Sequence, residues 1–281
     1  MNIMNMDADN QSRESSDLYT REFYEYKKGW THRSADTITS VLLEHFTPQS
    51  VVDVGCGTGT WLAAFRNHGI SDVLGVDGDY VEESMLEIPR ENFLPFDLSK
   101  PLQLERGFDL AISLEVAEHL DEAHADNFID SLTDLAPIVL FSGAIPHQGG
   151  VNHVNEQWQD YWADKFKLKD YIPIDAIRKF TWSNNDVAAH YAQNIILYVS
   201  RNALMKNKKL ETAANRTDID MLNVVHPDRY MRVVEKNARL ASTVENLQEE
   251  LDRSKDPAYM SLRNTLSVLP TLIKNALSKR I

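Results

Sequence analysis

Residues 51–59 join a short apolar run to a glycine-rich turn. The turn has the spacing G-x-G-x-G at Gly55, Gly57 and Gly59, and glycine is the residue that lets a backbone approach a ligand closely. A dinucleotide site would read G-x-G-x-x-G and would face a pyrophosphate. Asp53, just before the first glycine, suits a pyrophosphate poorly but can bind a cationic amino group. The pattern therefore predicts a site for a ligand with such a group, and the alternative is a bare turn between a strand and a helix.

A second acidic residue, Asp77, follows the next apolar run, residues 73–76. It stands eighteen positions beyond Gly59. Ribose-binding carboxylates lie at about this separation, roughly 20 residues, after a glycine-rich turn. We therefore expect Asp77 to accept hydrogen bonds from both ribose hydroxyls of a bound nucleoside.

Three residues with ligating side chains, Glu115, Glu118 and His119, follow the apolar run 108–114. Ligands of open α/β sheets bind outside the carboxyl ends of the strands, so this position favours a functional role. In a helical turn the three side chains would share one face. Two carboxylates and an imidazole can hold a divalent cation, but acids in a first helical turn are also stabilised by the helix dipole alone. Both interpretations stay open.

Two more histidines, His147 and His153, follow the apolar run 138–142 and are expected at the same edge of the sheet. His153 is the candidate fourth ligand of a cation site. If no cation is bound, an imidazole of near-neutral pKa can remove the proton of a hydroxyl acceptor. The candidate bases then rank His147, His153 and His119.

The segment V-V-D-V-G-C-G-T-G at 51–59 resembles motif I of the class I S-adenosylmethionine-dependent methyltransferases, and the likeness extends over 36–200. The resemblance implies that S-adenosylmethionine, which carries an amino group on its methionine part, binds at Asp53, Gly55, Gly57, Gly59 and Asp77. It also implies an adenine contact by Asp97 and Leu98, which follow the third strand. A solvated turn is the other interpretation of Asp97.

The E-x-x-E-H pattern at 115–119 resembles that of ubiquinone-pathway O-methyltransferases and of small-RNA 3′-terminal 2′-O-methyltransferases, where it supports Mg²⁺ or a similar divalent cation. The stretch 149–158 is similar to methyltransferases of polysaccharide and glycosylated-metabolite pathways. These resemblances imply O-methylation of a sugar, a glycan or another small-molecule hydroxyl. The alternatives are 2′-O-methylation of an RNA 3′ end and a non-catalytic scaffold with a methyltransferase fold.

Aromatic residues follow His153 on a predicted helix. They are Trp158, Tyr161, Trp162 and Phe166. Aromatic faces at this position can pack on a sugar ring, but Trp158 and Trp162, four positions apart, are also typical of core packing.

Short apolar runs alternate with helical segments along the first 200 residues, which predicts a parallel sheet covered by helices on both faces. The runs lie at 51–54, 73–76, 108–114, 138–142 and 192–200. We therefore expect an α/β domain over 18–200 with a Rossmann-like parallel sheet of about seven strands and 192–200 as a late antiparallel strand. The first helix is expected at 35–46, where apolar residues follow a helical period.

The two ends of the chain differ from this domain. Residues 1–17 are polar and acidic and are expected to form a disordered leader, whereas lysines and asparagines predict a linker at 201–225. A C-terminal helical appendage should follow, with a helix at 226–256 and a basic amphipathic helix at 257–281. The latter could lie on an anionic membrane as a peripheral contact.

A 3-4 spacing of apolar residues runs through the predicted helix and defines a heptad seam. Its members are Tyr230, Val233, Asn237, Leu240, Val244, Leu247 and Leu251. An Asn at an a position favours a parallel two-stranded register, so the seam predicts a homodimer through 230–251. The alternative is one long helix folded back on the catalytic domain.

Composition narrows the class of protein further. The 281 residues carry a formal net charge of −13, which makes nucleic acid an unlikely general partner. The single cysteine, Cys56, excludes an internal disulfide framework and a cysteine zinc site. No apolar run approaches the roughly 20 residues that span a bilayer. The expected location is the cytoplasm, with at most a peripheral membrane contact.

Overall fold

The computed structural model describes residues 21–255 together with residues 262, 266, 267 and 269, and it describes side chains from residue 29 onward. The chain divides into two compact units, one ending at His226 and the other beginning at Pro227. The predicted leader, residues 1–17, and nearly all of the predicted basic helix, residues 257–281, lie outside the described residues.

A seven-stranded sheet forms the centre of the first unit in the order β3-β2-β1-β4-β5-β7-β6. Its strands are β1 (Ser50–Val54), β2 (Asp72–Asp77), β3 (Phe93–Pro95), β4 (Leu110–Leu114), β5 (Ile138–Ser142), β6 (Tyr171–Ile174) and β7 (Ile196–Ser200). Strand β7 is antiparallel to β5 and β6, and the other neighbouring strands are parallel. The predicted Rossmann-like sheet with a late antiparallel strand is confirmed.

Helices cover both faces of the sheet. They are α1 (Arg21–His45), α2 (Thr60–Asn67), α3 (Ala125–Leu135), α4 (Gln159–Leu168), α5 (Arg178–Thr181), α6 (Ala189–Asn194), α7 (Arg201–Leu204) and α8 (Lys208–Ala214). Ile38 of α1 and Phe65 of α2 belong to one apolar cluster, and Phe128 of α3 and Phe166 of α4 belong to another. Because successive strand residues alternate between these clusters, the central strands are buried on both faces.

Residues 201–225 differ from the predicted linker. They form α7 and α8, the side chains of Leu210 and Leu222 are buried, and the first unit continues to His226. The Asn207 side chain accepts hydrogen bonds from two N–H groups in the first turn of α8, at 3.0 and 3.2 Å. An asparagine that suggested a loop is therefore a helix N-cap, a position where asparagine is strongly preferred.

Two strands also differ from the expectation. The last strand is shorter than 192–200, because residues 192–194 belong to α6. Strand β6 was not predicted, since Pro173 interrupts its apolar pattern. It lies at one edge of the sheet, where a proline is tolerated because it does not need to donate to a further strand.

The second unit is described mainly by α9 (Pro227–Lys255), which agrees with the helix expected at 226–256. None of its described side chains is buried. In the described part of the chain, no helix combines the length and the apolar character that crossing a membrane requires.

Candidate active site

The glycine-rich turn lies at the carboxyl end of β1. Gly55, Gly57 and Gly59 adopt φ angles of 91°, 53° and 84°, a region that side chains other than glycine rarely occupy. A Cβ atom on Gly55 would lie 2.3 Å from Cγ2 of Val116, so the turn has no room for a side chain there. The N–H of Gly55 donates to the carbonyl of Val76 at 2.8 Å, which joins the turn to β2.

Asp53 is a buried residue of β1 with an unsatisfied acceptor. Burial raises the pKa of its carboxyl well above the ordinary range, and the negative charge of Asp77 raises it further. Its Oδ2 atom has no hydrogen-bond partner among the described residues. Because a buried polar atom without a partner costs about 1–3 kcal/mol, this oxygen fits a ligand that brings N–H donors.

Asp77 ends β2 and is joined directly to the turn. Its carboxylate accepts hydrogen bonds from the N–H of Gly57 at 2.6 Å, from the N–H of Gly78 at 2.7 Å and from the hydroxyl of Tyr80. Burial raises the pKa of Asp77, and these three hydrogen bonds offset part of the rise. The carboxylate is therefore held at the carboxyl ends of β1 and β2, the place expected for a ribose-binding group.

Glu87 supports the same turn, and sequence reasoning missed it because no motif marks it. Its Oε1 accepts hydrogen bonds from the hydroxyls of Thr60 at 3.0 Å and Thr58 at 3.3 Å. Its Oε2 accepts one from Nε2 of His32 on α1, at 2.6 Å. Glu87 thus connects the first helix to the start of α2.

Asp97 and Leu98 follow β3, as the expected adenine contacts should. The Asp97 carboxylate is exposed and accepts from the hydroxyl of Ser99 at 2.6 Å and from its N–H at 3.1 Å. These bonds and the ammonium of Lys100 lower the pKa of Asp97 to about 2. Its geometry is that of a solvated turn, while Leu98 is half-buried, and the adenine contact stays a prediction.

Glu118 is a fully buried carboxylate in the segment that follows β4. Burial raises the pKa of Glu118 well above its ordinary range, and the charge of Glu115 adds to the rise. The N–H groups of Glu118 and Ala144 offset part of it. Neither carboxylate oxygen has a hydrogen bond of good geometry within the described residues. Such a group is expected only where a cation or a donor can approach it.

Two imidazoles complete a cluster with Glu118. Ligating atoms of Glu118, His119 and His153 all lie within 4.8 Å of one another, and the rings of the two histidines meet edge to face with centroids 4.9 Å apart. Backbone hydrogen bonds hold the two segments together, because the N–H of Val154 donates to the carbonyl of Glu118 at 2.8 Å. One carboxylate and two imidazoles are ligand types that could hold a metal ion.

Glu156 orients His153, a role that sequence reasoning did not assign. Its Oε1 accepts from Nδ1 of His153 at 2.9 Å and from the N–H of Gly149 at 3.0 Å. Since a carboxylate only accepts, the hydrogen bond places a proton on Nδ1 of His153, and Nε2 is the ring nitrogen that could bind a cation. The ring also lies against Gly150, where a Cβ atom would stand 2.1 Å from Nε2. A carboxylate behind a histidine is a common feature of metal sites.

Glu115 does not join this cluster, which corrects the expectation that it shares one face with Glu118 and His119. Glu115 has a φ of 57° and lies before the short 3-10 helix, which begins at Ala117. Glu115 and Glu118 therefore do not belong to one continuous helix and do not share a helix face. The two oxygens of Glu115 instead accept from the amides of Gln148 at 2.7 Å and Asn194 at 3.0 Å.

Some of the remaining candidate residues are exposed, and others are buried in the core. His147 is exposed, and its N–H donates to Oε2 of Glu156 at 2.7 Å, so it lies on the same loop as the cluster but outside it. Trp162 and Phe166 are buried in the core, while Trp158 is exposed just before α4. Of the predicted aromatic residues, Trp158 is thus the one that keeps an exposed ring for a ligand.

A family model described as a methyltransferase domain matches residues 25–185, more than half of the chain. The chain therefore belongs to this family. It is a class I methyltransferase with S-adenosylmethionine as its methyl donor, as the resemblance at 51–59 implied. No curated protein matches the chain.

Solved structures similar to this chain include three methyltransferases. The methyltransferase domain of bacterial CtHen1 is 19% identical, covers 60% of this chain and 98% of that chain, and has a TM-score of 0.44. Magnesium protoporphyrin IX methyltransferase from Synechocystis PCC 6803 with bound SAH is 15% identical, with 64% and 88% covered and a TM-score of 0.43. Human N-acetylserotonin methyltransferase with SAM is 14% identical, with 64% and 55% covered and a TM-score of 0.44.

Proposed function

We propose that this methyltransferase methylates a hydroxyl group of a sugar, a glycan or another small molecule, and that Glu118, His119 and His153 hold a divalent cation beside the acceptor. The observation that carries the proposal is the buried Glu118 carboxylate, which has no hydrogen bond of good geometry within the described residues and has two imidazoles within 4.8 Å. A hydroxyl must lose its proton as the new bond forms, so a hydroxyl acceptor needs such a group.

The glycine-rich turn and the two carboxylates beside it support the cofactor side of the proposal. S-adenosylmethionine supplies a methyl group already activated by its sulfonium, so the protein mainly aligns donor and acceptor. Gly55, Gly57 and Gly59 would let the backbone approach the cofactor, and the unpartnered Oδ2 of Asp53 would receive its amino group. Asp77 would accept the ribose hydroxyls.

The cluster of Glu118, His119 and His153 supports the acceptor side of the proposal. A bound divalent cation would lower the pKa of an acceptor hydroxyl and so replace a strong base. His119 and His153 would then act as ligands, and Glu156 would keep Nε2 of His153 available by holding the proton on Nδ1. His147, which lies outside the cluster, is the histidine left to accept the proton.

The acceptor is more consistent with a sugar or another small molecule than with RNA. The formal net charge of −13 opposes a phosphate backbone, whereas the exposed ring of Trp158 could pack on a sugar face. Neither feature identifies the compound. RNA 3′ ends therefore belong among the acceptors to be tested.

A labelled-methyl assay over sugars, quinone precursors and short RNAs, run with Mg²⁺ or Mn²⁺ and with EDTA, tests the proposal. We expect transfer to a hydroxyl compound, loss of transfer in EDTA and in Glu118→Gln, and recovery of the wild type on adding the metal. Glu122→Gln, which alters an exposed carboxylate nearby, is the matched control and should keep full activity.

Full activity in EDTA, with metal content verified, would overturn the cation site and leave a metal-free histidine mechanism. Transfer only to an amine or a thiol would overturn the hydroxyl acceptor. A folded protein that binds no S-adenosylhomocysteine would support the scaffold alternative.

A further inference from the structure

The helix α9 has one apolar face that is exposed along its whole length. Its large apolar side chains there are between 42% and 65% exposed; they are Tyr230, Val233, Leu240, Val244, Leu247 and Leu251. A contiguous apolar stripe of this length is unusual on a monomeric soluble protein and marks an interaction surface.

The stripe has the period of a coiled coil. Tyr230, Asn237, Val244 and Leu251 occupy a positions, and Val233, Leu240 and Leu247 occupy d positions. Apart from Met231, the opposite face is mostly polar, and some of its charges are paired within the helix. Glu249 and Arg253 form an ion pair at 2.9 Å, and Glu235 and Arg239 approach to 3.9 Å. The helix is therefore amphipathic, and its apolar face lacks a described partner.

We propose that this stripe, residues 230–251, binds a second copy of the same chain as a parallel two-stranded coiled coil. Asn237 is the first argument for an identical partner. In a parallel homodimer it faces Asn237 of the partner subunit, and two facing amides can hydrogen-bond to each other. An unrelated apolar helix would leave this buried amide without a partner, which is costly.

The charges beside the stripe are the second argument. In a parallel dimer a g residue faces the e residue of the next heptad on the partner helix. Glu250 at g would face Lys255 of the partner subunit at e, an attractive pair. The other g positions, Arg229, Lys236 and Thr243, face uncharged residues, so no like charges meet. In the single chain Lys255 pairs with the exposed Asp252 at 3.5 Å. An exposed ion pair of this kind is weak, so replacing it by the pair with Glu250 of the partner subunit would cost little free energy.

Analytical ultracentrifugation of the full chain at micromolar concentration tests the proposal. The wild type should sediment with the mass of two chains. The double variant Leu240→Glu and Leu247→Glu should sediment as one chain, because it places charges in the seam. Ser242→Glu places one acidic side chain on the outer face of the helix and should stay dimeric. S-adenosylhomocysteine affinity should be unchanged in all three, which verifies that the first unit is folded.

Leu247→Cys tests the parallel orientation. The natural Cys56 is buried, so an engineered cysteine at the seam dominates oxidation. In a parallel dimer the two Cys side chains face each other and should form a covalent dimer with an oxidant, whereas Ser242→Cys should cross-link far less. A wild-type protein that is monomeric at tens of micromolar would overturn the proposal. A dimeric wild type together with a Leu247→Cys variant that does not cross-link would overturn the parallel coiled coil.

Discussion

The cofactor side and the acceptor side of the site are built in different ways. The cofactor side is one continuous segment, residues 51–77, in which the backbone itself provides the shape and two buried carboxylates provide the charge. The acceptor side consists of two segments, 115–119 and 147–156, which follow different strands and are held together by backbone hydrogen bonds and side-chain contacts. A local motif therefore defines the first side, and tertiary contacts define the second.

The two sides are in contact at Gly55 and Val116. A substitution at this contact is expected to have the largest effect on stability and on cofactor binding. Gly55→Ala combines a positive φ, which costs about 1–2 kcal/mol for a residue with a Cβ, with a clash that costs about 1–3 kcal/mol. We expect a lower melting temperature and no measurable S-adenosylhomocysteine binding. Thermal unfolding and calorimetry measure the two effects.

Gly69→Ala is the matched control, because Gly69 has the same φ of 91° but open space around its missing Cβ. It should lose stability from strain alone and keep its affinity. Adding Val116→Ala to Gly55→Ala makes room for the new Cβ and should restore part of the affinity. Equal affinities for Gly55→Ala and the wild type would contradict the close approach of ligand and turn.

On the acceptor side, Glu156→Gln should weaken cation binding by about 10–100-fold, a common cost of removing the group behind a ligating histidine. The variant keeps the size of the side chain but loses its negative charge and one of the two acceptor oxygens that face His153, Gly149 and His147. Titration with Mn²⁺ followed by electron paramagnetic resonance measures the affinity. S-adenosylhomocysteine binding should not change, and a parallel loss of both affinities would show that the two sides are not separable.

The buried charge of Asp53 predicts a pH dependence on the cofactor side. In the unfolded chain this carboxyl has its ordinary pKa, about 3.9, whereas in the folded protein burial and Asp77 raise its pKa. As pH rises above about 4, the unfolded chain loses this proton first, so the free energy of unfolding decreases until the folded pKa is reached. Asp53→Asn should flatten this decrease.

Urea unfolding between pH 4 and 8, without ligand, measures the slopes of both proteins. Asp77, whose pKa is also raised, remains in the variant, so part of the slope should persist. Identical slopes for the wild type and Asp53→Asn would contradict the raised pKa of Asp53.

The smallest effect is expected at Tyr80. Its hydroxyl donates to Oδ1 of Asp77, an oxygen that we assign to the ribose. Tyr80→Phe removes this competing donor, and since one hydrogen bond is worth about 1 kcal/mol, affinity for S-adenosylhomocysteine should rise a few-fold. A large loss of affinity in calorimetry would instead show that the Tyr80 hydroxyl contacts the ligand.

The cofactor side could be predicted from the sequence more completely than the acceptor side, because it is one continuous segment. The turn at 55–59 and Asp77 were predictable because their spacing along the chain fixes their geometry. The positive φ of Glu115 was not, because nothing in its neighbours requires it. Glu156 resembles any surface acid until the fold places it behind His153.

Fold elements were predictable where the apolar pattern was strong. The buried central strands were recognised, whereas the edge strand β6 contains Pro173 and was missed. The helix α8 was missed because its residues are mostly polar, although Asn207 as an N-cap was a signal that could have marked its start.

Whether residues 51–77 bind the cofactor independently of the acceptor side is tested most directly by calorimetric titration of the 281-residue chain with S-adenosylhomocysteine. We predict one ligand per chain, with binding lost in Gly55→Ala and unchanged in Glu118→Gln. A wild-type protein that is folded by circular dichroism but releases no heat of binding at millimolar ligand would contradict the account.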